Sequence, residues 1–226
     1  MNVFTGWDER EAVKKEMYSG RNRLFSLRFK PGEPKLIRLL HDAPLTVYEH
    51  SWKDADGKWN FKFCWGDNCP YCKDGHYKTL RGVHLAWDYS EWEDKNGETH
   101  KGSLMLWKYS NAVGDSLRAI HMANGELDKF DLTVVRIGTK QKTTYTVLPK
   151  NNEPLSASIK EQLEEIKAAM LPEGEKFTSW TNFLKTYLEG QIEEDTKNFL
   201  PVTPSGGAAD VDSGTDTFYE SDDSGW

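Results

Sequence analysis

The chain has 226 residues, 37% of them hydrophobic and 12% aromatic, with a formal net charge of -7. This length allows one substantial core with appendages. No apolar run approaches the roughly 20 residues of a membrane-spanning helix, and the first residues lack the apolar stretch of a signal peptide, so we expect a cytoplasmic protein without a membrane partner.

Strand patterns dominate the first 150 residues. A short amphipathic helix is predicted at residues 8–18. Runs that alternate apolar and polar residues between Gly, Pro, Asn and Asp then indicate strands. These strands are predicted at 23–29, 34–40, 45–52, 58–65, 83–92, 103–110, 130–138 and 143–149, with a helix at 112–123. Many short strands separated by turns favour an antiparallel barrel or sandwich.

The pattern changes after residue 150. Residues 156–171 and 179–190 have helical spacing, and Ser158 with Glu161 has the spacing of a capping box. Residues 201–226 are mostly Gly, Ser, Asp and Thr without periodicity, which predicts a disordered tail. The predicted organisation is therefore a core at 1–150, a helical segment at 151–200 and the tail at 201–226.

All three cysteines, Cys64, Cys69 and Cys72, fall within nine residues. The C-x₂-C spacing of the last two places two thiolates on one metal ion, and Cys64 adds a third. An imidazole would complete a closed tetrahedral Zn²⁺ site, and His50 and His76 are the candidates. We favour His50, because a ligand from the neighbouring strand would tie the predicted hairpin to the cysteine loop. The cluster predicts a structural zinc knuckle at residues 50–76.

A redox pair at Cys69 and Cys72 is the weaker alternative, since the βαβ context of that motif is missing.

Aromatic and basic residues are interleaved around the cysteines and along later strands. Single-stranded nucleic acid needs this mixture, because bases stack on rings while Lys and Arg neutralise phosphates. Alternation along a strand puts only half of these rings on one face, so we expect about half to be core. The candidate contacts are Trp52, Trp59, Phe61, Lys62, Trp65, Tyr71, Trp92, Trp107, Lys108, Tyr109, Arg136, Lys140, Lys142 and Tyr145.

Charge is distributed unevenly along the chain. Residues 1–150 carry a net charge of +4, residues 151–204 a net of -5 and residues 205–226 a net of -6. A flexible polyanion tethered to a basic surface would compete with nucleic acid for that surface. The alternative is a tail that only improves solubility, and a chain ending at Pro204 distinguishes the two by its DNA affinity.

Motifs of catalysis are missing from the sequence: it has no phosphate-binding glycine loop, no nucleophile elbow and no His-Glu metal helix. Asp88, Glu91, Glu93 and Asp94 form an acidic cluster that suggests a metal-dependent nuclease, but a solvated strand end is the more ordinary explanation. We therefore expect a protein that is not an enzyme. A zinc-containing adaptor that binds proteins in transcription or replication is the main alternative to DNA binding.

Several segments resemble the single-stranded DNA-binding proteins of tailed bacteriophages. They are KPGEPKLIRLLHDAPLTVYEHSW, CWGDNCPYC, the strand Gly82–Trp92 and the pair FDLTVVRIG and TYTVLP, within residues 20–150. The resemblance implies a mainly β (α+β) fold, with an OB-fold-like antiparallel barrel and a zinc-stabilised insertion. It also implies metal ligands at His50, Cys64, Cys69 and Cys72. The His-x₁₃-Cys-x₄-Cys-x₂-Cys spacing is more compact than in the best-known zinc-bearing member, so only the ligand roles carry over.

The expected function is to coat single-stranded DNA, with little sequence preference, during phage replication, recombination or repair. We expect the acidic tail, Asp210–Trp226, to regulate access to DNA, and the resemblance implies that it recruits replication or recombination proteins. For a phage-encoded protein the compartment is the host bacterial cytoplasm.

Overall fold

The computed structural model describes residues 24–93, 97–139, 142–150, 152–170 and 177–197. The predicted helix at 8–18 and the predicted tail at 201–226 lie outside these ranges. Within them the chain divides into two compact units. The smaller unit has residues 24–25 and 155–170, and the larger has the described residues of 26–154 and 177–197.

The larger unit is built mainly of strands. The elements of the described chain are β1 (Phe25–Ser26), β2 (Pro34–Leu39), β3 (Leu45–Lys53), β4 (Trp59–Phe63), α1 (Pro70–Lys73), β5 (Lys78–Glu93), β6 (Thr99–Tyr109), α2 (Asn111–Asn124), a 3₁₀ turn (Leu127–Lys129), β7 (Asp131–Ile137), β8 (Thr144–Pro149), α3 (Ala157–Met170) and α4 (Trp180–Lys197).

These strands form one sheet in the order β1-β6-β5-β2-β7-β8, with β3 paired to β5 and β4 paired to β3. Each of the ladders among strands β2, β3, β4, β5, β6, β7 and β8 is antiparallel. A mainly β fold with additional helices is thus confirmed. Among the described residues no ladder joins β1 to β8, so the sheet is open at these two strands.

The long strand β5 connects the two parts of the sheet. Its first residues pair with β3 and its later residues pair with β2, while β6 follows it along most of its length. The register with β6 shifts between Asp88 and Glu91. A bulge of this kind bends a strand and increases its twist. The bulge follows the segments of β5 that pair with β3 and β2, so it bends only the end of the strand.

The β3–β4 hairpin forms where the sequence DADG predicts a turn. A side-chain oxygen of Asp54 accepts hydrogen bonds from the N–H groups of Asp56 (3.1 Å) and Lys58 (2.8 Å). Gly57 has a φ of 79°, a conformation that residues with a Cβ rarely adopt. A hydrogen bond from Asn60 is the main reason that the pKa of Asp54 lies below its ordinary value.

The core of the larger unit lies between the sheet and α2. Ile37, Leu39 and Leu132 are fully buried, and Val113 and Leu117 of α2 belong to the same apolar cluster. Burying side chains of this size contributes about 1.5–3 kcal/mol each. Because β2, β5 and β7 are central in the sheet order, their apolar residues form the middle of this cluster.

Some element boundaries differ from those predicted. The strand predicted at 23–29 is reduced to Phe25–Ser26, whereas β5 begins at Lys78 rather than 83 and β6 at Thr99 rather than 103. Pairing with β3 and with each other extends these two strands beyond their alternating segments. The helix predicted at 179–190 continues to Lys197, because Gly190 is followed by good helix formers.

The predicted capping box at the start of α3 was placed wrongly. In the smaller unit α3 begins at Ala157, and the hydroxyl of Ser156 accepts a hydrogen bond from the N–H of Ile159 at 3.3 Å. Ser156 therefore caps this helix, and Ser158 lies inside it. Leu163 is buried on α3, and Lys167 forms an ion pair with Glu164.

Candidate metal centre and nucleic-acid interface

The β3–β4 hairpin has two chemically different faces. In its register His50 is opposite Lys62, and Ser51 is opposite Phe61. Alternate residues of a strand point to opposite sides, so two sets of side chains result. We call the side with Tyr48, His50, Trp52, Asn60 and Lys62 the metal face. We call the side with Glu49, Ser51, Lys53, Trp59, Phe61 and Phe63 the aromatic face.

The metal face brings together the four predicted ligands. Possible ligand atoms of His50, Cys64, Cys69 and Cys72 all lie within 4.8 Å of one another. The sulfurs of Cys64 and Cys72 are 3.5 Å apart, and the His50 Nε2 lies 3.5 Å from the Cys69 sulfur and 3.4 Å from that of Cys72. Two sulfurs on a tetrahedral Zn²⁺, each at about 2.3 Å, are about 3.8 Å apart. These separations fit one metal ion.

A hydrogen bond orients the imidazole of His50. Its Nδ1 lies 3.2 Å from the carbonyl oxygen of His76, and since a carbonyl only accepts, Nδ1 carries the proton. The unprotonated Nε2 then faces the sulfurs of Cys69 and Cys72. Metal-binding histidines are held in this way by a partner on the second ring nitrogen. His50 is thus the fourth member of the cluster, and His76 contributes its backbone.

Local backbone structure positions the cysteines. Cys69 precedes the short helix α1, which has Pro70 at its first position, and its N–H donates to the Gly66 carbonyl at 3.1 Å. Cys72 lies within α1, one turn after Cys69. Cys64 follows β4 directly, and its N–H donates to the carbonyl of Tyr48 on β3 at 2.8 Å. The hairpin and the α1 turn therefore each fix part of the cluster.

The protonation behaviour of the cluster follows from burial and from nearby N–H groups. Burial lowers the pKa of His50, which favours the neutral ring that a metal needs. Burial opposes ionisation of Cys69, but backbone hydrogen bonds, that from Trp65 foremost, lower the pKa of its thiol overall. Burial and the neighbouring Cys64 sulfur raise the pKa of Cys72 to about 11. The Cys69 thiol is thus predisposed to ionise. Because the three sulfurs are packed closely, ionisation of a second thiol is unfavourable unless a cation is bound.

Rings pack around the cluster on the metal face. Trp52 stacks on Tyr71 with centroids 4.8 Å apart, and Trp65 meets the same ring edge-on at 5.6 Å. Tyr71 is only 5% exposed. Three of the predicted DNA-contact rings therefore enclose the metal cluster.

The aromatic face carries a row of partly buried rings with cations above them. Trp59 and Phe61 have near-parallel rings with centroids 6.3 Å apart. The Lys53 ammonium lies 5.2 Å from the Trp59 ring centroid. That of Lys108 lies 5.6 Å from the Phe61 ring and 5.7 Å from the Phe63 ring. Flat rings beside positive charge suit the bases and phosphates of a single strand.

A buried carboxylate holds two cations beside this row. Glu49 is 3% exposed, accepts a hydrogen bond from Nε of Arg81 at 3.2 Å and pairs with Lys108. A buried carboxylate is stabilised only when it has such partners. The pairing fixes the Lys108 ammonium near Phe61 and Phe63. Lys108 therefore has a structural role here in addition to its predicted DNA contact.

Lys62 already has an acidic partner. Its ammonium lies 2.5 Å from a carboxylate oxygen of Asp195 on α4, and the Lys62 side chain is 41% exposed. Asp195 also contributes, after burial, to raising the pKa of Tyr71. The end of α4 thus approaches the metal face of the hairpin. Lys62, which was predicted to contact DNA, is therefore already paired with a carboxylate of the same chain.

The remaining predicted contacts fall into two groups. Trp107, Tyr109 and Arg136 are 2%, 2% and 7% exposed, so they serve the interior of the larger unit rather than its surface. Trp92, Tyr145 and Lys142 are partly or fully exposed. The ring of Trp92 stacks on that of His100 with centroids 4.4 Å apart, and Tyr145 packs against Phe29. Lys140 lies outside the described residues.

Lys53 and Phe63 belong to the aromatic face but were not among the predicted contacts. The sequence contained the signal, because Trp59, Phe61 and Phe63 alternate along one strand. Lys53 becomes their neighbour only through the hairpin register, in which it is opposite Trp59.

Two members of the acidic cluster suggested for a nuclease, Asp88 and Glu91, form ion pairs. Asp88 is 3% exposed, and its carboxylate accepts hydrogen bonds from Lys35 at 2.6 Å and from the N–H of Ser90 at 3.0 Å. Glu91 lies 3.7 Å from the Lys101 ammonium. Asp94 is outside the described residues. In the described part of the chain, His50 with the three cysteines is the one group of three or more potential ligands close enough to share a metal ion.

Comparison with known proteins identifies no relative: no protein-family model, no curated protein and no solved structure matches the chain. None of the helices in the described ranges is long and apolar enough to cross a membrane.

Proposed function

We propose that the protein binds single-stranded DNA through the aromatic face of the β3–β4 hairpin and is not an enzyme. The observation that carries this proposal is the row Trp59, Phe61 and Phe63 with Lys53 and Lys108 beside the rings. Stacking on rings does not distinguish the bases, so binding has little sequence preference. Neutralised phosphates add affinity that falls with salt.

Zinc has a structural role in this proposal. His50, Cys64, Cys69 and Cys72 fit a closed four-ligand site, which leaves no position for a substrate. His50 lies on β3 and Cys64 directly follows β4, so a bound ion joins both strands of the hairpin to the α1 turn. Because the ligands occupy the metal face, the ion stiffens the hairpin without covering the aromatic face.

We also propose that the sheet curls into an OB-fold-like barrel. The segment after β1 supports this, since the N–H of Leu27 donates to Leu106 of β6 and that of Gly32 donates to Arg136 of β7, each at 2.8 Å. This one segment connects β6 with β7, the two ends of the β6-β5-β2-β7 path. Five extended segments around one core are typical of OB folds.

The biological setting is inferred from the resemblance to the single-stranded DNA-binding proteins of tailed bacteriophages. In this proposal the protein acts with tailed-phage replication, recombination or repair in the host bacterial cytoplasm. The acidic tail, Asp210–Trp226, competes for the DNA-binding surface and recruits replication proteins. Removal of the tail after Pro204 should then tighten DNA binding at low salt, whereas a solubilising tail leaves the affinity unchanged.

A titration of the full-length, zinc-loaded protein with oligo-dT and with duplex DNA of equal length tests the proposal. We expect quenching of tryptophan fluorescence and much tighter binding of the single strand. Equal affinity for both forms, or no binding, would overturn it. Absence of binding together with co-purification of a polymerase subunit would favour the adaptor function.

A further inference from the structure

A cavity of about 370 Å³ lies where α2 begins, between this helix, β5 and the loop before β3. Binding sites for small molecules are commonly about 300–1,000 Å³ in volume. The parallel rings of His84 and Tyr109, 5.7 Å apart, form part of its lining, as do Leu80 and Leu117. The cavity therefore has an apolar and aromatic wall. It is separate from the aromatic face of the hairpin, whose residues do not line it.

The lining pair His84 and Tyr109 is fixed by its own hydrogen bonds. The hydroxyl of Tyr109 donates to Nδ1 of His84 at 2.7 Å, and Nε2 of His84 donates to the Asp42 carbonyl at 3.1 Å. Gly82 makes room for the Tyr109 ring, because a Cβ at this position would lie 2.3 Å from it. The wall is thus preformed. Both ring nitrogens of His84 are engaged in these hydrogen bonds, so its side chain has no polar group left for a ligand.

At one end of the cavity, polar groups of α2 lack partners. Ser110 is the N-cap residue, is 7% exposed and makes no side-chain cap hydrogen bond. Its carbonyl accepts the first helical bond, from Gly114. Among the described residues neither the Ser110 hydroxyl nor the N–H groups of Asn111, Ala112 and Val113 have a hydrogen-bond partner. Ser110 and Asn111 line the cavity, and a helix start with an unused hydroxyl in a largely buried residue is suited to an anion.

Charged side chains farther along α2 limit where an anion can lie. Arg118 lines the cavity and has no ion pair among the described residues. The Asp42 carboxylate accepts hydrogen bonds from the His121 ring and from the N–H of Leu127, each at 2.8 Å. Asp115 also lines the cavity and would repel an anion in its middle. The start of the helix is therefore the preferred end for negative charge.

We propose that this cavity binds a nucleoside phosphate. Its phosphate accepts hydrogen bonds from the Ser110 hydroxyl and the N–H of Asn111, which line the cavity at the start of α2, with Arg118 adding positive charge. The nucleobase lies against the apolar part of the lining, where Leu80 is partly exposed. The phosphate can come from a free nucleotide or from a 5′-phosphorylated end of DNA. The inference does not depend on DNA binding by the hairpin.

Calorimetric titration of the full-length, zinc-loaded protein with thymidine 5′-monophosphate tests this site, with thymidine and inorganic phosphate as comparisons. The nucleotide should bind at least about tenfold more tightly than thymidine, as expected for hydrogen bonds to a charged group. Equal affinities for the nucleotide and thymidine, or no heat with the nucleotide at millimolar concentration, would overturn the inference.

Substitutions separate the phosphate contact from a general effect on folding. Ser110→Ala should weaken nucleotide binding about tenfold, whereas Ser116→Ala on the same helix should not, because its hydroxyl donates to the Ala112 carbonyl instead. Asp115→Asn should strengthen binding by removing like charge, a result that a purely structural role would not give. Unchanged affinity in both Ser110→Ala and Asp115→Asn would contradict the site.

Two further probes identify the source of the phosphate. Dinucleotides of dT with a 5′-phosphate or a 5′-hydroxyl distinguish a DNA end from a free nucleotide. Preference for the phosphorylated dinucleotide assigns the site to DNA ends, and binding of the mononucleotide alone assigns it to free nucleotides. Phe61→Ala should leave either result unchanged, so failure of this site and failure of the hairpin can be told apart.

Discussion

The ring of His50 donates a hydrogen bond from Nδ1 to the backbone carbonyl of His76 across 3.2 Å. The two histidines that flank the cysteines thus have different tasks. His50 directs Nε2 towards the sulfurs of Cys69 and Cys72, whereas His76 orients that ring through its backbone. The choice between them depends on the hairpin register and on the turn after α1, neither of which the spacing of residues specifies.

Replacing either histidine tests this assignment. His50→Asn should lose bound zinc, because one of four ligands is removed, and should unfold at a lower temperature. His76→Asn keeps the backbone carbonyl and should retain about one zinc per chain. Metal content after dialysis, measured by atomic emission, distinguishes the variants. Equal metal loss in both would show that the His76 ring also matters.

The aromatic face should account for most of the stacking energy. Phe61→Ala should weaken binding to oligo-dT by about 1–3 kcal/mol, since one stacking ring is lost. Tyr48→Ala is the matched control: this ring also has a lysine ammonium over it, that of Lys78 at 4.8 Å, but it lies on the metal face. Fluorescence titration measures both affinities. A larger loss for Tyr48→Ala would place the DNA on the other side of the hairpin.

The pair Lys62–Asp195 should not restrain DNA binding, because Lys62 lies on the metal face of the hairpin. Asp195→Asn should change the affinity for oligo-dT at low salt no more than Glu189→Gln does, which removes an exposed acid that pairs with Lys185 on the same helix. Fluorescence titration at low and high salt measures both variants. A larger gain for Asp195→Asn that disappears at high salt would show that a phosphate reaches Lys62 on the metal face.

Buried His84 should make the fold sensitive to acid. Burial, and then the neighbouring His41, lower the pKa of His84 from 6.5 to about 3. The unfolded chain therefore takes up a proton below about pH 6.5 while the folded chain does not. Stability is complete above that pH and falls as the pH drops towards 3, by up to about 1.4 kcal/mol per pH unit.

Urea unfolding at several pH values measures this dependence. His84→Gln should be less stable at pH 7, yet its stability should fall less steeply between about pH 6 and 4, since one proton uptake is removed. His100→Gln, at the partly exposed ring that stacks on Trp92, is the control substitution. A slope unchanged by His84→Gln would show that groups other than His84 govern the acid response.

Local chemistry explains which features the sequence predicts well. The DADG turn places β3 and β4, because Asp54 and Gly57 satisfy it without distant contacts. The Cys-x₂-Cys spacing likewise predicts the metal cluster, since its geometry is set within one turn. Helix α2 is also predicted within one residue at each end, because its apolar spacing and Gly125 are local signals.

Features that depend on pairing between distant segments could not be predicted. Trp107 and Tyr109 resemble surface stacking rings in the sequence, but β6 lies inside the sheet order and buries them. Arg136 is buried where its guanidinium donates to the Phe29 carbonyl at 3.2 Å. The link between Lys62 and Asp195 joins residues far apart in the chain, so composition alone suggests a free cation.

The most direct test of the central claim is the affinity of the full-length protein for oligo-dT, compared with duplex DNA, before and after zinc removal. We expect strong preference for the single strand, affinity that falls steeply with salt, and a marked loss of affinity once the metal no longer holds the hairpin. Equal binding of single-stranded and duplex DNA, or an affinity for oligo-dT that does not change when zinc is removed, would contradict it.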